Sequence, residues 1–312
     1  MGTPDWHVGA LYAFAPLHDF ENLREPLLGM CEMYGVQGTL LLAREGINGT
    51  IAAPGRAGLD AVLDFLRADP RLSHMEVKRS RASGPPFHRM KVRLKSEIVT
   101  MGVDGVDPTR AVGRYVEPED WNALIADPDT IVVDTRNGFE VGLGSFEGAV
   151  DPMTDSFREF PAWVERNRDA LSARPRVAMF CTGGIRCEKA TSWMVENGFE
   201  DVRHLKGGIL AYLERVPESE SLWNGDCFVF DERVAVGHGL SESDVELCRN
   251  CRLPLTPDDR AHPDFEPGVS CAACAGDLSE SRRARLRERQ KQVELAEARG
   301  ERHIGRVAGA KG

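Results

Sequence analysis

The chain contains no apolar run near the ~18 residues that a membrane-spanning helix needs, and no internal repeat. Nothing after Met1 reads as a basic segment followed by an apolar one, so a secretory leader is not expected. Trp6 stands where an N-myristoylation signal needs Ser or Thr. Cysteine is scarce: eight in 312 residues, too few and too unevenly placed for a disulfide scaffold. Positive charge is in deficit, with 39 Lys and Arg against 49 Asp and Glu. Motifs for haem, flavin or non-haem iron are missing as well. These absences exclude collagen, coiled coil, helical membrane protein and secreted mini-protein. The reading they leave is a cytoplasmic chain with reduced thiols.

What is present is ample material for buried cores: 42% hydrophobic and 28% charged residues, the balance of a folded globular chain. At this length two or three domains are expected. The net charge of −10 is unevenly spread. Between Arg71 and Lys95, eight Lys and Arg stand against Glu76 alone, a local charge of +7. Residues 276–312 carry +4, so the remainder carries −21. Positive fields concentrated on an acidic body can recruit a polyanion.

The first hundred residues read as a small α+β unit. Residues 7–14 form a strand, and Asp19 caps a helix running to about residue 34. Residues 38–43 and 47–53 are apolar runs around Arg44-Glu45-Gly46, a hairpin signal. A second amphipathic helix spans 59–67 and closes at Asp69-Pro70. Residues 75–81 and 90–99 alternate apolar and basic side chains, as half-exposed strands do. The order βαββαβ is that of a ferredoxin-like sheet with one open face. Lys91, Arg93 and Lys95 share one face of the last strand. With Arg79, Arg81, His88 and Arg89 they make a candidate RNA surface. Phe87 and His88 either stack on a splayed base or pack.

Residues 102–113 read as a linker. A helix follows at 117–125. Strands at 130–134, 176–181 and 201–205 alternate with helices at 155–167, 185–197 and 209–215, the pattern of a parallel sheet covered on both faces. Chemistry in such sheets sits beyond the carboxyl ends of the strands, and Cys181 lies at one. After Pro217 the pattern dissolves. A strand at 226–231, a polar Pro-rich stretch and a charged helix at 279–299 remain, and the tail after Gly300 is expected to be disordered.

The sharpest signal runs from Arg176 to Ala190. A strand delivers Cys181, and Thr182-Gly183-Gly184-Ile185 turns straight into a helix carrying Arg186 and Cys187. Glycines let a loop curl its N–H groups around the sulfur. The helix N-terminus and Arg186 add positive potential. All of this favours a nucleophilic thiolate. Cys187, on the first helical turn, either resolves an oxidised Cys181 or packs.

This loop resembles that of the rhodanese superfamily, whose active cysteine opens a C-x4-R loop. Asp134-Thr135-Arg136, Glu140 and Gly148-Ala149 resemble a second motif of that superfamily, D-x-R-x-x-x-E…G-A. Gly198-Phe199, Val202, Leu205 and Gly207-Gly208 resemble its closing segment, whereas Ser145 stands where many members carry His. The whole chain is more specific. Arg44-Glu45-Gly46-Ile47-Asn48-Gly49-Thr50, the run 181–190 and Phe228-Val229-Phe230-Asp231-Glu232-Arg233 together resemble the rhodanese-related tRNA uridine hydroxylases.

That resemblance covers about residues 5–275. It implies an acylphosphatase-like (ferredoxin-like) RNA-binding domain at 1–101, a rhodanese domain at 112–218, a Cys-rich segment at 219–278 and a charged helix and tail at 279–312. It further implies oxygen-dependent 5-hydroxylation of the wobble uridine in the tRNA anticodon loop, with dioxygen as co-substrate. A rhodanese-type sulfurtransferase carrying a persulfide on Cys181 is the alternative, and a non-catalytic RNA-binding or zinc scaffold a third. The +7 segment favours the first, since a small-molecule sulfurtransferase has no use for it.

Cys248-x-x-Cys251 and Cys271-x-x-Cys274 are separated by 19 residues, the spacing of a structural zinc ribbon. The region has no evident apolar core, so a metal staple would help it fold. Free or transiently oxidised thiols are the other reading, with Cys227 and His262 as substitute ligands.

Overall fold

The computed structural model describes residues 5–299. Strand β1 (Trp6–Phe14) turns Leu11 and Ala13 into one apolar cluster and Trp6, Val8, Tyr12 and Phe14 the other way. Helix α1 (Arg24–Met33), strands β2 (Gln37–Ala43) and β3 (Gly46–Pro54), helix α2 (Arg56–Arg67) and strands β4 (Glu76–Ala82) and β5 (Met90–Leu94) follow. The sheet order is β4-β1-β3-β2-β5. Pairings are antiparallel except that of β2 with β5. The first four strands of that order are the ferredoxin-like arrangement, and β5 extends its edge. The two helices bury Leu27, Leu59, Val62 and Leu63 against Leu11, Leu40 and Ile47 on one face.

Two expectations about local structure change. The helix expected from Asp19 begins as a 3-10 turn at Phe20–Leu23, and the Asp19 carboxylate makes no cap because it pairs with Arg71. The strand expected to reach residue 99 stops at Leu94. Beyond it Glu97 turns to accept the Met101 and Gly102 N–H groups at 3.0 and 3.1 Å.

The second sheet is parallel, in the order β6-β10-β9-β7. It is built from β6 (Arg114–Val116), β7 (Thr130–Asp134), β9 (Arg176–Phe180) and β10 (Val202–Leu205), while β8 (Gly144–Phe146) pairs separately with β11 (Trp223–Gly225). Helices α3 (Pro118–Ile125), α4 (Gly138–Val141), α5 (Phe160–Arg166), α6 (Arg168–Leu171), α7 (Ile185–Glu196) and α8 (Gly208–Arg215) complete it. Phe160, Val164 and Met194 fill a core with Val177 and Met179, and Trp121, Ile209 and Leu213 fill another with Ala178 and Phe180. Edge strand β6 falls between the expected linker at 102–113 and the expected helix at 117, where no strand was expected, since three residues carry no period. The helix expected at 155–167 is broken into Phe157–Glu159, α5 and α6, and the strand expected at 226–231 shrinks to Cys227–Phe228.

Both sheets belong to one compact unit, the chain up to Glu232 with Val236–Glu242. A second unit takes Arg233–Ala235 and the chain from Ser243. Its strands Glu246–Leu247 and Pro254–Leu255 pair antiparallel, followed by α9 (Pro257–Arg260), α10 (Ala272–Ala275) and the charged α11 (Glu280–Ala298). Arg283 and Arg287 of α11 both bond Glu266. The tail expected to be disordered lies outside the described residues. No described helix is long and apolar enough to cross a membrane.

Candidate active site and metal centre

Strand β9 ends at Phe180, so Cys181 sits at a carboxyl end of the parallel sheet, 1% exposed. The chain then turns through Gly184, at φ 103°, into α7. The Gly184 N–H donates to the Cys181 sulfur at 3.1 Å. A Cβ on Gly184 would meet the Tyr12 hydroxyl at 2.9 Å, so glycine is required for conformation and for space. The first turn of α8 clasps this turn: Ile209 and Leu210 donate to the Cys181 and Thr182 carbonyls at 2.9 and 3.0 Å. Gly208 permits that approach, since a Cβ there would lie 2.4 Å from the Cys181 oxygen.

Burial opposes a thiolate at Cys181. A hydrogen bond from the Cys187 thiol, the Arg186 charge and the Cys187 and Gly184 N–H groups outweigh it and bring the pKa down to about 6. Cys187, wholly buried, moves well upward through burial and the neighbouring thiolate. Of the two thiols Cys181 is the one that ionises more readily, with Cys187 as its hydrogen-bond donor.

Arg186 does not point both nitrogens at the sulfur. They bind the buried Glu140 carboxylate at 2.7 Å each, and Nη2 also donates to Thr182 Oγ1 at 3.1 Å. Burial would raise the Glu140 pKa, but Arg186 holds it low. Glu140 is fixed in turn by buried Arg136, which donates to Asp134 at 2.9 and 2.6 Å and to the Glu140 and Gly144 carbonyls at 3.2 and 2.6 Å. The Ser145 hydroxyl donates to Asp134 at 3.1 Å. The Asp134–Arg136–Glu140 motif is thus the support that aims Arg186 along the loop.

The ferredoxin-like sheet contributes residues that sequence reasoning missed. Tyr12 donates to Glu188 on α7 at 2.9 Å, and Tyr115 also bonds Glu188. Burial raises the Glu188 pKa against these donors. Lys189, 1% exposed, is gripped by Glu45 at 2.9 Å, Glu97 at 2.6 Å and the Val99 carbonyl at 3.1 Å. Asn48 donates to the Ile98 carbonyl at 2.8 Å. The Arg44–Thr50 segment therefore fastens the first sheet to the helix that carries the reactive loop. The only signal for Tyr12 was its strand alternation with Phe14; contacts across 176 residues leave none.

The expected RNA residues separate. Arg79 and Arg81, on β4, pair with Asp60 and Asp5. Lys91 and Arg93 lie on β5, at the opposite edge of the sheet. His88 is exposed, 3.5 Å from Glu232, and Arg89 and Lys95 are exposed. Phe87 packs on Trp6, Val8 and Ala82.

In the second unit the Cys248, Cys251, Cys271 and Cys274 sulfurs all lie within 4.8 Å of one another. Separations of 3.8 Å (Cys248–Cys274), 3.6 Å (Cys251–Cys271) and 3.8 Å (Cys271–Cys274) match the roughly 3.8 Å edge of a tetrahedron with ~2.3 Å metal–sulfur bonds. The site can hold a metal. His262 pairs with Asp264 at 3.8 Å, and Cys227 is buried in the core of the first unit with its thiol pushed up to about 12 by burial.

Residues 6–98 match the UPF0176 acylphosphatase like domain and residues 117–215 the Rhodanese-like domain. A solved rhodanese-related protein from Thermoplasma volcanium is 20% identical, with a TM-score of 0.27 over 33% of this chain and 93% of that one. Two curated relatives carry the name tRNA uridine(34) hydroxylase. The one from Agrobacterium fabrum is 63% identical over 97% of this chain and 96% of its own. The one from Brucella ovis is 62% identical over 98% and 100%. With such identity across both chains nearly end to end, the chain belongs to the tRNA uridine(34) hydroxylase family.

Proposed function

We propose that this chain hydroxylates C5 of the wobble uridine of tRNA, with Cys181 as the reacting group and dioxygen as the oxidant. The observation that carries the reading is a buried thiol with pKa near 6 on a donor-lined turn, in a chain matched end to end by relatives named for that reaction. The anticodon loop is already single-stranded, so its base can leave the stack for a recessed sulfur. The thiolate adds to C6, forming an S–C6 bond and moving the electron pair onto C5 and O4. C5 attacks an oxygen derived from dioxygen; loss of the C5 proton then expels the thiolate. One oxygen atom enters C5 and the other leaves as water, with two electrons from a reductant. The Gly184 and Cys187 N–H groups face the sulfur, and Arg186 sustains the thiolate. Cys187 is the thiol that resolves an oxidised Cys181.

The rhodanese-like domain supports a second reading, in which Cys181 carries a persulfide. The four clustered cysteines are assigned to structural Zn²⁺, whose coordination would order a segment with little apolar core. The tRNA substrate implies work in the cytoplasm. Unmodified tRNA incubated with the protein and a thiol reductant, under air and under nitrogen, tests the reading by nucleoside mass spectrometry. Uridine 34 should gain one oxygen under air alone. Gain of sulfur, or no change in air, overturns it.

A further inference from the structure

The face of the first sheet opposite α1 and α2 bears a polar row. The pairings Lys78–Ala10, Ala10–Thr50, Thr50–Thr39 and Thr39–Lys91 run straight across all five strands. The next row reads Glu76, Tyr12, Asn48, Leu41 and Arg93. Strand alternation puts both rows on the side of Tyr12 and Phe14, away from Leu11, Leu40 and Val92 in the helix-covered core. Arg79 pairs with Gly9 in the ladder, and a Cβ on Gly9 would meet Leu59 of α2, so Arg79 and Arg81 belong to the helix side.

The row is half-buried from end to end: Lys78, Ala10, Thr50, Thr39 and Lys91 are all intermediate in exposure. Apolar walls flank it, Tyr12, Phe14 and Ile185 along one side and Trp6, Val8 and Phe87 along the other. Beyond it, on the Trp6 side, the side-chain oxygen of Gln37 is buried without a partner among the described residues. One end abuts the reactive loop. Lys78 Nζ lies where a Cβ on Gly207 would come within 2.5 Å, and Gly208 beside it touches the Cys181 carbonyl. The other end carries Lys91 and Arg93. Four inter-strand steps separate the ends, about 19 Å.

We propose that this trough is the track for the single-stranded RNA backbone flanking the target uridine, Lys78 taking the phosphate nearest Cys181 and Lys91 with Arg93 those farther along the loop. The assignment rests on the tRNA reading above and adds to it the path of the strand. Cations at both ends with hydroxyls between them suit a polyanion; Lys78 has only a loose pairing with Glu76 at 3.8 Å, whereas Arg79 and Arg81 are held closely by Asp60 and Asp5.

The test is binding of an unmodified tRNA transcript across a salt series, with melting temperature recorded for each variant. Lys91→Ala with Arg93→Ala should weaken binding about tenfold at low salt and flatten the log–log salt slope by about 1.4, two single-strand phosphate contacts. Thr39→Glu, which removes no cation but puts a carboxylate mid-trough, should weaken it similarly. Arg79→Ala should bind as wild type does. The proposal is overturned if Thr39→Glu and the double variant, both melting normally, bind like wild type, or if Arg79→Ala alone produces the loss. Those results leave wild-type hydroxylation standing. A wild-type protein that leaves uridine 34 unchanged removes the tRNA reading instead.

Discussion

Replacing Lys189 by Met probes the junction between the two sheets. In the wild type its ammonium lies between Glu45 and Glu97, whose side chains are 22% and 18% exposed. Burial raises the Glu45 pKa above the usual carboxylate range despite Lys189, while Lys189 and backbone donors hold Glu97 below it in spite of burial. Breaking a buried ion pair by removing one partner costs about 3–5 kcal/mol, and the partial exposure of both carboxylates selects the low end, about 3 kcal/mol. For a unit of this size that is roughly 6–12 °C in melting temperature. Without the cation both folded-state pKa values rise above the unfolded value. A group raised on folding loses its stabilising contribution as pH climbs through the folded pKa. The deficit is therefore largest at pH 8 and shrinks toward pH 5. Thermal melts at both pH values read it, and adding Glu45→Gln and Glu97→Gln should restore most of the loss. A Lys189→Met melt within about 1 °C of wild type at pH 8, or a deficit that grows on acidification, would refute the clamp.

The sulfur chemistry, the metal and the loop give further expectations. The alkylation rate of Cys181 by a small haloacetamide should rise with pH to a plateau, with a midpoint near 6; Cys187→Ala removes the thiol donor and Arg186→Gln the charge, so each should move it upward. Protein purified without chelator should carry one zinc per chain by elemental analysis, and Ser at Cys248, Cys251, Cys271 and Cys274 should abolish it while the first unit still melts cooperatively. Gly208→Ala should cost several kcal/mol of stability, through left-handed strain at φ 66° and a 2.4 Å clash with the Cys181 carbonyl; an unchanged melt counts against the loop clasp.

The sequence exposes local features well and long-range ones poorly. Cys181, the glycines after it and Arg186 fall within six residues, so spacing alone suggests a thiolate cradle. The paired CxxC spacing is equally local, and the sulfurs do converge. What Arg186 bonds is another matter. Its partner Glu140 is 46 residues away, visible only as part of a resembling motif. Tyr12, Lys78, Glu188 and Lys189 carry no pattern beyond strand or helix period, because their roles arise from two sheets meeting. The basic segment shows the same limit. Counting charge between Arg71 and Lys95 yields one patch, whereas the fold places β4 and β5 at opposite edges and turns Arg79 and Arg93 to opposite faces.

The claim on which all of this depends is that the Cys181 thiolate attacks the base. Substrate tRNA carrying 5-fluorouridine at the wobble position tests it directly, because fluorine blocks the final loss from C5. Wild-type protein should form a covalent protein–RNA adduct that survives denaturation, mapped by peptide mass spectrometry to Cys181, and Cys181→Ser should form none while still binding the tRNA. Full hydroxylation of normal tRNA by Cys181→Ser, or an adduct at any other residue, would contradict the account.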